Sequence, residues 1–175
     1  VNIAMLTLIE RIERCIEWLG WLAKASLLGV VLLVSANVLL RYLFSISPVP
    51  LQELEWHLIS PIALIGISYA LRHRADVRVD IFYERFPEQT KGLIDMLTGL
   101  LTLMIGSYIV WLAWPFVIQA YAFGEGSPNP GGLPHRYLLK AFLPLGFTAL
   151  ALQGFADMLR GLRQVWQPGL ETEAA

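Results

Sequence analysis

Charge is what this sequence has least of. Only 15% of its 175 residues are Asp, Glu, Lys or Arg, against 56% hydrophobic, and the mean hydropathy is +0.57. Soluble domains run at about 25% charged and 45–50% apolar, and a chain this short has too little interior to hide the excess from water. The solvent it implies is lipid. Cysteine is nearly missing too: Cys15 stands alone, which excludes an internal disulfide and a thiolate metal cage. A net charge of −1 offers no basic surface for nucleic acid. There is no HExxH, no histidine–carboxylate cluster at metal-ligand spacing, no nucleophile elbow and no internal repeat. No metal or cofactor is therefore expected, and no catalytic residue. No small-residue cleavage site follows the first apolar run, so that run is expected to stay in the protein.

What the sequence does have is long apolar runs. Crossing roughly 30 Å of hydrocarbon takes about 20 residues, and residues 18–40, 51–71, 93–118 and 137–159 qualify. Lys24 interrupts the first, the third is long enough to tilt, and Pro61 and Pro144 sit inside the second and fourth. The fold class that follows is an all-α integral membrane protein, one domain over 1–175, with four transmembrane helices. Two further stretches read as amphipathic helices lying in the membrane interface. In 1–17, Ile3, Leu6, Ile9, Ile12 and Ile16 form a stripe beside Glu10, Arg11, Glu13 and Arg14. In 78–90, Val79, Ile81, Phe82 and Phe86 alternate with Asp80, Glu84 and Arg85.

Positive residues orient the spans, because they accumulate in cytoplasmic loops. Arg11 and Arg14, then Arg72, Arg74, Arg78, Arg85 and Lys91, then Arg160 and Arg163 all fall on one side of a four-span chain. Both termini are therefore expected in the cytoplasm. SISPVP and the Gly- and Pro-rich loop 120–136 then face outward. Trp18, Trp21 and Trp166 are expected near the inner face, and Trp56, Trp111 and Trp114 near the outer one.

The polar residues beside these runs are the candidate site, because charge next to membrane-grade hydrophobicity is costly. Asn37 and Arg41 share a helix face at the outer end of the first span. Glu53, His57 and Ser60 share one at the outer start of the second, with Glu55 close by. Two readings stand side by side. In one, Arg41 snorkels to lipid phosphates and the glutamates sit in water. In the other, Arg41 and Glu53, at similar depth, join a polar cluster between helices or facing a partner. His57 could ligate haem, but His73 and His135 are predicted in loops on opposite sides, so no second histidine matches its depth. Lys24 is expected to reach the cytoplasmic interface. The small residues Ser26, Gly29, Ser35, Ala36, Gly66, Ser68, Ala70, Gly99 and Gly106 permit close helix packing. In the outer loop, Ser127, Pro128, Pro130 and Pro134 alternate with glycines, giving a stiff, weakly charged surface suited to a docking protein.

ANVLLRYLF, QELEWHLI, GISYALRHRADVRVDIFYERFP and GSPNPGGLPHRYLLKAFLPLGFTALALQGFADMLR, in that order, together resemble the small membrane subunit of tripartite ATP-independent periplasmic (TRAP) transporters, the DctQ-like family. The likeness runs from about Ser35 to Arg160. It implies a non-catalytic four-helix subunit in the bacterial inner membrane. Its implied partners are a large elevator-type membrane subunit and a periplasmic binding protein that delivers a small carboxylate, with uptake driven by an ion gradient, commonly sodium. The matching positions are Asn37, Arg41, Glu53, His73, Val77, Asp80 and the Ser127–Pro134 loop. The family's substrate and ion sites lie in the large subunit, so none is carried onto this chain. An aromatic residue often follows the loop's last proline in the family; here His135 and Arg136 do. Two other readings compete: a membrane anchor of a redox enzyme with His57 on haem, and a self-contained small transporter. The second lacks a pair of broken helices and mid-membrane charge.

Overall fold

The computed structural model describes residues 3–75, 83 and 86–166. Four helices make up most of it: α1 Ile3–Phe44, α2 Val49–Arg72, α3 Glu88–Ala122 and α4 Tyr137–Trp166. Among the described residues there is no strand. At 1.5 Å per residue the helices are about 63, 36, 52 and 45 Å long. Each carries an 18-residue stretch of mean hydropathy between 1.3 and 2.1. All four can cross a bilayer, and each outlasts the apolar run that announced it. Pro61, Pro115 and Pro144 lie inside continuous helices.

The core is built of small residues. In α3 the buried positions are Gly92, Gly99, Gly106, Ala113 and Ala120, seven apart. A period of seven keeps one narrow face turned to a single partner helix over many turns. That partner is α4. A Cβ at Gly99 would stand 2.7 Å from the Gly154 carbonyl oxygen, and one at Gly161 would stand 2.6 Å from that of Gly92. The two backbones touch, which gives dispersion contact and leaves no room for larger side chains. α4 also meets the other two helices. Gly146 lies against the Leu64 backbone of α2, where a Cβ would be 2.8 Å from the carbonyl oxygen. Ser68 donates to the Gly146 carbonyl at 3.4 Å. α2 in turn sets the Tyr69 ring over Gly20 of α1, where a Cβ would collide with the ring.

Apart from Ile9, Ile12, Ile16 and Ile65, most large apolar side chains point outward instead. All six tryptophans are exposed, as are Leu27, Leu28, Val31, Leu32 and Leu39 of α1 and Leu100, Leu101, Met104 and Ile105 of α3. This inverts the soluble pattern and suits a lipid solvent.

The stretch 1–17, read as an interfacial helix, is continuous with the first span from Ile3 onward. Its stripe has a protein partner: Ile9, Ile12 and Ile16 are buried with Ala156 of α4, and Phe155 and Leu159 pack against them. Most of the expected segment 78–90, Asp80 included, lies outside the described residues.

Candidate functional site

One end of the bundle carries the α1–α2 turn and the α3–α4 loop; it is called the loop pole here. The chain leaves α1 through Ser45, whose φ of +55° is rare for a residue with a Cβ. Pro48 and Pro50 then start α2, where a missing N–H costs no helix bond.

Glu53 is the centre of this pole. Its carboxylate accepts hydrogen bonds from Ser127 Oγ, from Asn129 Nδ2 at 2.9 Å and from the Leu133 backbone N–H at 2.7 Å. Three donors from one loop converge on one side chain of another helix. The loop closes on itself around them. Ser127 N–H donates to the Leu133 carbonyl at 3.0 Å, Gly132 N–H to Asn129 at 3.0 Å, and Arg136 N–H to Glu125 at 2.9 Å. Gly132 is needed for space: a Cβ there would be 2.7 Å from Glu53 Oε1 and 2.5 Å from Ser127 Cβ. Lys140 and Glu125 pair beside the loop. His57, one turn along α2, sets Nδ1 2.9 Å from the Glu53 carbonyl oxygen, which accepts its proton. A cavity of about 290 Å³ opens here, lined among others by His57, Ser127, Pro128 and Arg136. Pro134 and His135 stand on the exposed side of the loop, and His135 adopts φ +62°.

The Arg41–Glu53 pair does not form. Residues two apart on a helix project roughly 200° apart, so Glu53 and Glu55 face opposite ways. Glu53 faces the loop, while Glu55 faces α1 and accepts from Asn37 Nδ2 at 2.9 Å. Arg41 lines a second cavity with Asn37 and Glu55, of about 450 Å³. It is exposed and makes no ion pair among the described residues. The expected polar cluster is thus two clusters, on either side of the start of α2.

The opposite end, the terminal pole, is tied by charge. Glu17 of α1 pairs with Arg72 and, at 3.1 Å, with His73; Lys24 reaches Glu17 at 3.7 Å and lies over the Tyr69 ring at 4.4 Å. Glu13 of α1 pairs with Arg160 of α4. Arg74, after α2, reaches Asp95 of α3 at 3.7 Å, and Gln164 of α4 donates to Glu88 of α3 at 2.7 Å. Each helix is thereby joined to two others. Only His73 of these falls among the positions the family resemblance matches; the rest were not read as site residues. Opposite charges at the ends of successive spans were the signal that could have found them. Asn129, Gly132 and Leu133 fall inside the Ser127–Pro134 loop that the resemblance matches, but their convergence on Glu53 was not legible, because a loop's internal fold is not periodic.

Among the described residues, the buried polar side chains are Ser26, Ser68 and Gln153, and no three metal-ligating side chains converge. The whole defines a multi-pass membrane subunit whose polar groups gather at its two ends. The model of the family "Tripartite ATP-independent periplasmic transporters, DctQ component" matches residues 30–164, and the chain belongs to that family. It is therefore one component of a tripartite transporter, a multi-pass protein of the inner membrane. It is 26% identical over 156 residues to the ectoine TRAP transporter small permease protein TeaB of Halomonas elongata, covering 89% of this chain and 77% of that one. It is 21% identical over 159 residues to the isethionate TRAP transporter permease protein DctMQ of Oleidesulfovibrio alaskensis, covering 83% of this chain and a quarter, 25%, of that longer protein.

Proposed function

We propose that this chain is the fixed, non-catalytic frame of a TRAP transporter, holding a large elevator-type membrane subunit while that subunit takes up a small carboxylate, driven by an ion gradient, commonly of sodium. The observation that carries the reading is the α3–α4 seam. A helix pair that alternates access must slide or rock, and backbones in contact at Gly92, Gly99, Gly154 and Gly161 leave no slack for either. Two further features agree with it. Both poles are tied, and the apolar stretch of α1 has none of its most hydrophobic 18 residues buried, a face free for lipid or a large partner. The family's tripartite description supports a large membrane subunit and a periplasmic binding protein as partners. The fusion named DctMQ supports the first of these.

In this reading both termini are cytoplasmic and the loop pole is periplasmic, because arginine and lysine gather at the terminal pole. A Cys15→Ser background with single cysteines at Asn129 or Glu88 tests it with an impermeant thiol reagent on intact cells. Labelling at 129 is expected; labelling at 88 alone reverses the orientation. For the frame itself, the chain reconstituted alone in liposomes with binding protein and a sodium gradient should give no uptake above empty vesicles. Uptake without a large subunit would refute it.

A further inference from the structure

The groove between the end of α1 and the start of α2 carries a charge, Arg41, that no tie between the described residues uses. It holds a cation and an anion that do not pair. Arg41 and Glu55 line the same cavity of about 450 Å³, and no ion pair joins them. Among the described residues, Glu55 holds only the Asn37 amide, at 2.9 Å, and the Asn37 Oδ1 is buried with no partner. Two opposite charges that line one cavity without pairing fit a ligand that carries both signs. The rest of the lining says what else the ligand carries. Tyr42 and Trp56, exposed by 82% and 67%, are the aromatic types that settle at the level of lipid headgroups. Val34 and Val38 continue one face of α1 away from Arg41 toward the middle of the span, i to i+4, and both are exposed. The groove is polar at the helix end and apolar below it, the order of parts in a phospholipid.

We propose that this groove binds a phospholipid with a phosphate–ammonium headgroup, a phosphatidylethanolamine. Its phosphate sits on the Arg41 guanidinium, which offers N–H donors in a fork suited to phosphate oxygens. Its primary ammonium donates to Glu55, and its acyl chains run along Val34 and Val38. A choline headgroup has no N–H to give Glu55, and a glycerol headgroup has no positive charge. The carboxylate therefore selects among phospholipids that Arg41 alone would accept equally. The proposal needs only that the chain spans a membrane, so it stands or falls apart from the transporter reading.

The test is native mass spectrometry of the full-length chain released from micelles doped with phosphatidylethanolamine, phosphatidylglycerol or phosphatidylcholine. Phosphatidylethanolamine should be retained about three- to tenfold more than either of the others. Glu55→Gln keeps an acceptor for Asn37 and should erase that preference. Arg41→Gln should lower retention of all three, and Arg41→Lys should restore part of it. Val34→Trp leaves both charges in place and should reduce retention by filling the acyl track. Inorganic phosphate should not displace the lipid. Equal retention of the three lipids by the wild type overturns the proposal, as does an unchanged preference in Glu55→Gln. Displacement by inorganic phosphate would make the groove an anion site instead. Undiminished retention of phosphatidylethanolamine by Arg41→Gln overturns the proposal as well.

Discussion

The two poles of this bundle are fastened by different physics. At the loop pole a single carboxylate, Glu53, gathers neutral donors from one loop. At the terminal pole the attraction is spread over ion pairs between different helices, with Glu13, Glu17 and Asp95 each answered by a separate cation. A hub concentrates dependence on one side chain. A mesh of half-exposed pairs shares it, and each strand of the mesh contributes little in water. Apart from its Lys140–Glu125 pair, the loop pole should therefore be sensitive to single substitutions and insensitive to salt, and the terminal pole the reverse.

The largest effect should come from breaking what both poles share. Gly99→Val would put a branched side chain onto the Gly154 carbonyl and the Met158 backbone, and backbone cannot step aside as a side chain can. The seam should open, at a cost of about 3 kcal/mol or more, seen as loss of a monodisperse folded species in detergent. Next is Glu53→Ala, which leaves the Ser127, Asn129 and Leu133 donors without their acceptor. Protease cleavage within 123–136 should rise by about tenfold as the loop opens locally, with the rest of the bundle intact. Unchanged cleavage would remove Glu53 as the hub. Gly132→Ala attacks the same hub by crowding and should cost about 1–2 kcal/mol in thermal unfolding.

At the terminal pole, Arg160→Ala breaks a partly buried pair with Glu13 and should cost about 1 kcal/mol. Arg74→Ala, whose side chain is more than half exposed, should cost no more than about 0.5 kcal/mol. High salt should narrow the gap between wild type and the Arg160 variant while leaving the gap for Gly132→Ala as it was. A salt response of equal size at both poles would erase the contrast.

The four helices were legible in the sequence because apolar run length is a local property, and lipid asks for little else. The rotational phase of each helix was harder to read. Arg41 and Glu53 were matched by depth, which sequence position gives. Their partners are set by azimuth, which depends on how α2 is rolled against α1 and α4. The two glutamates at 53 and 55 could have been assigned to opposite faces from helix geometry alone. Gly99 and Gly106 stood out as packing residues. The period of seven that extends them to Gly92, Ala113 and Ala120 was also present in the sequence, and identifies α3 as the helix with a long single partner. Of the stripe read in 1–17, Ile9, Ile12 and Ile16 do form one buried face, whereas Ile3 is exposed. Its cover, Ala156, is 140 residues further along the chain, and amphipathicity alone cannot tell lipid from such a distant neighbour.

The unbroken length of α1 has a mechanical consequence. A helix of 42 residues is a stiff rod about 63 Å long, more than twice the thickness of the hydrocarbon it would cross. Such a rod works as a lever, for a tilt of about 10° carries one end about 11 Å relative to the other. Here the lever has no free pivot. Ile16 is wedged against α4, Gly20 against the Tyr69 ring of α2, and Asn37 is bonded to Glu55 near the far end. Fixed at those points, α1 can lean only if α2 and α4 lean with it, so any load applied to its end beyond the bilayer is delivered to the whole bundle as torque.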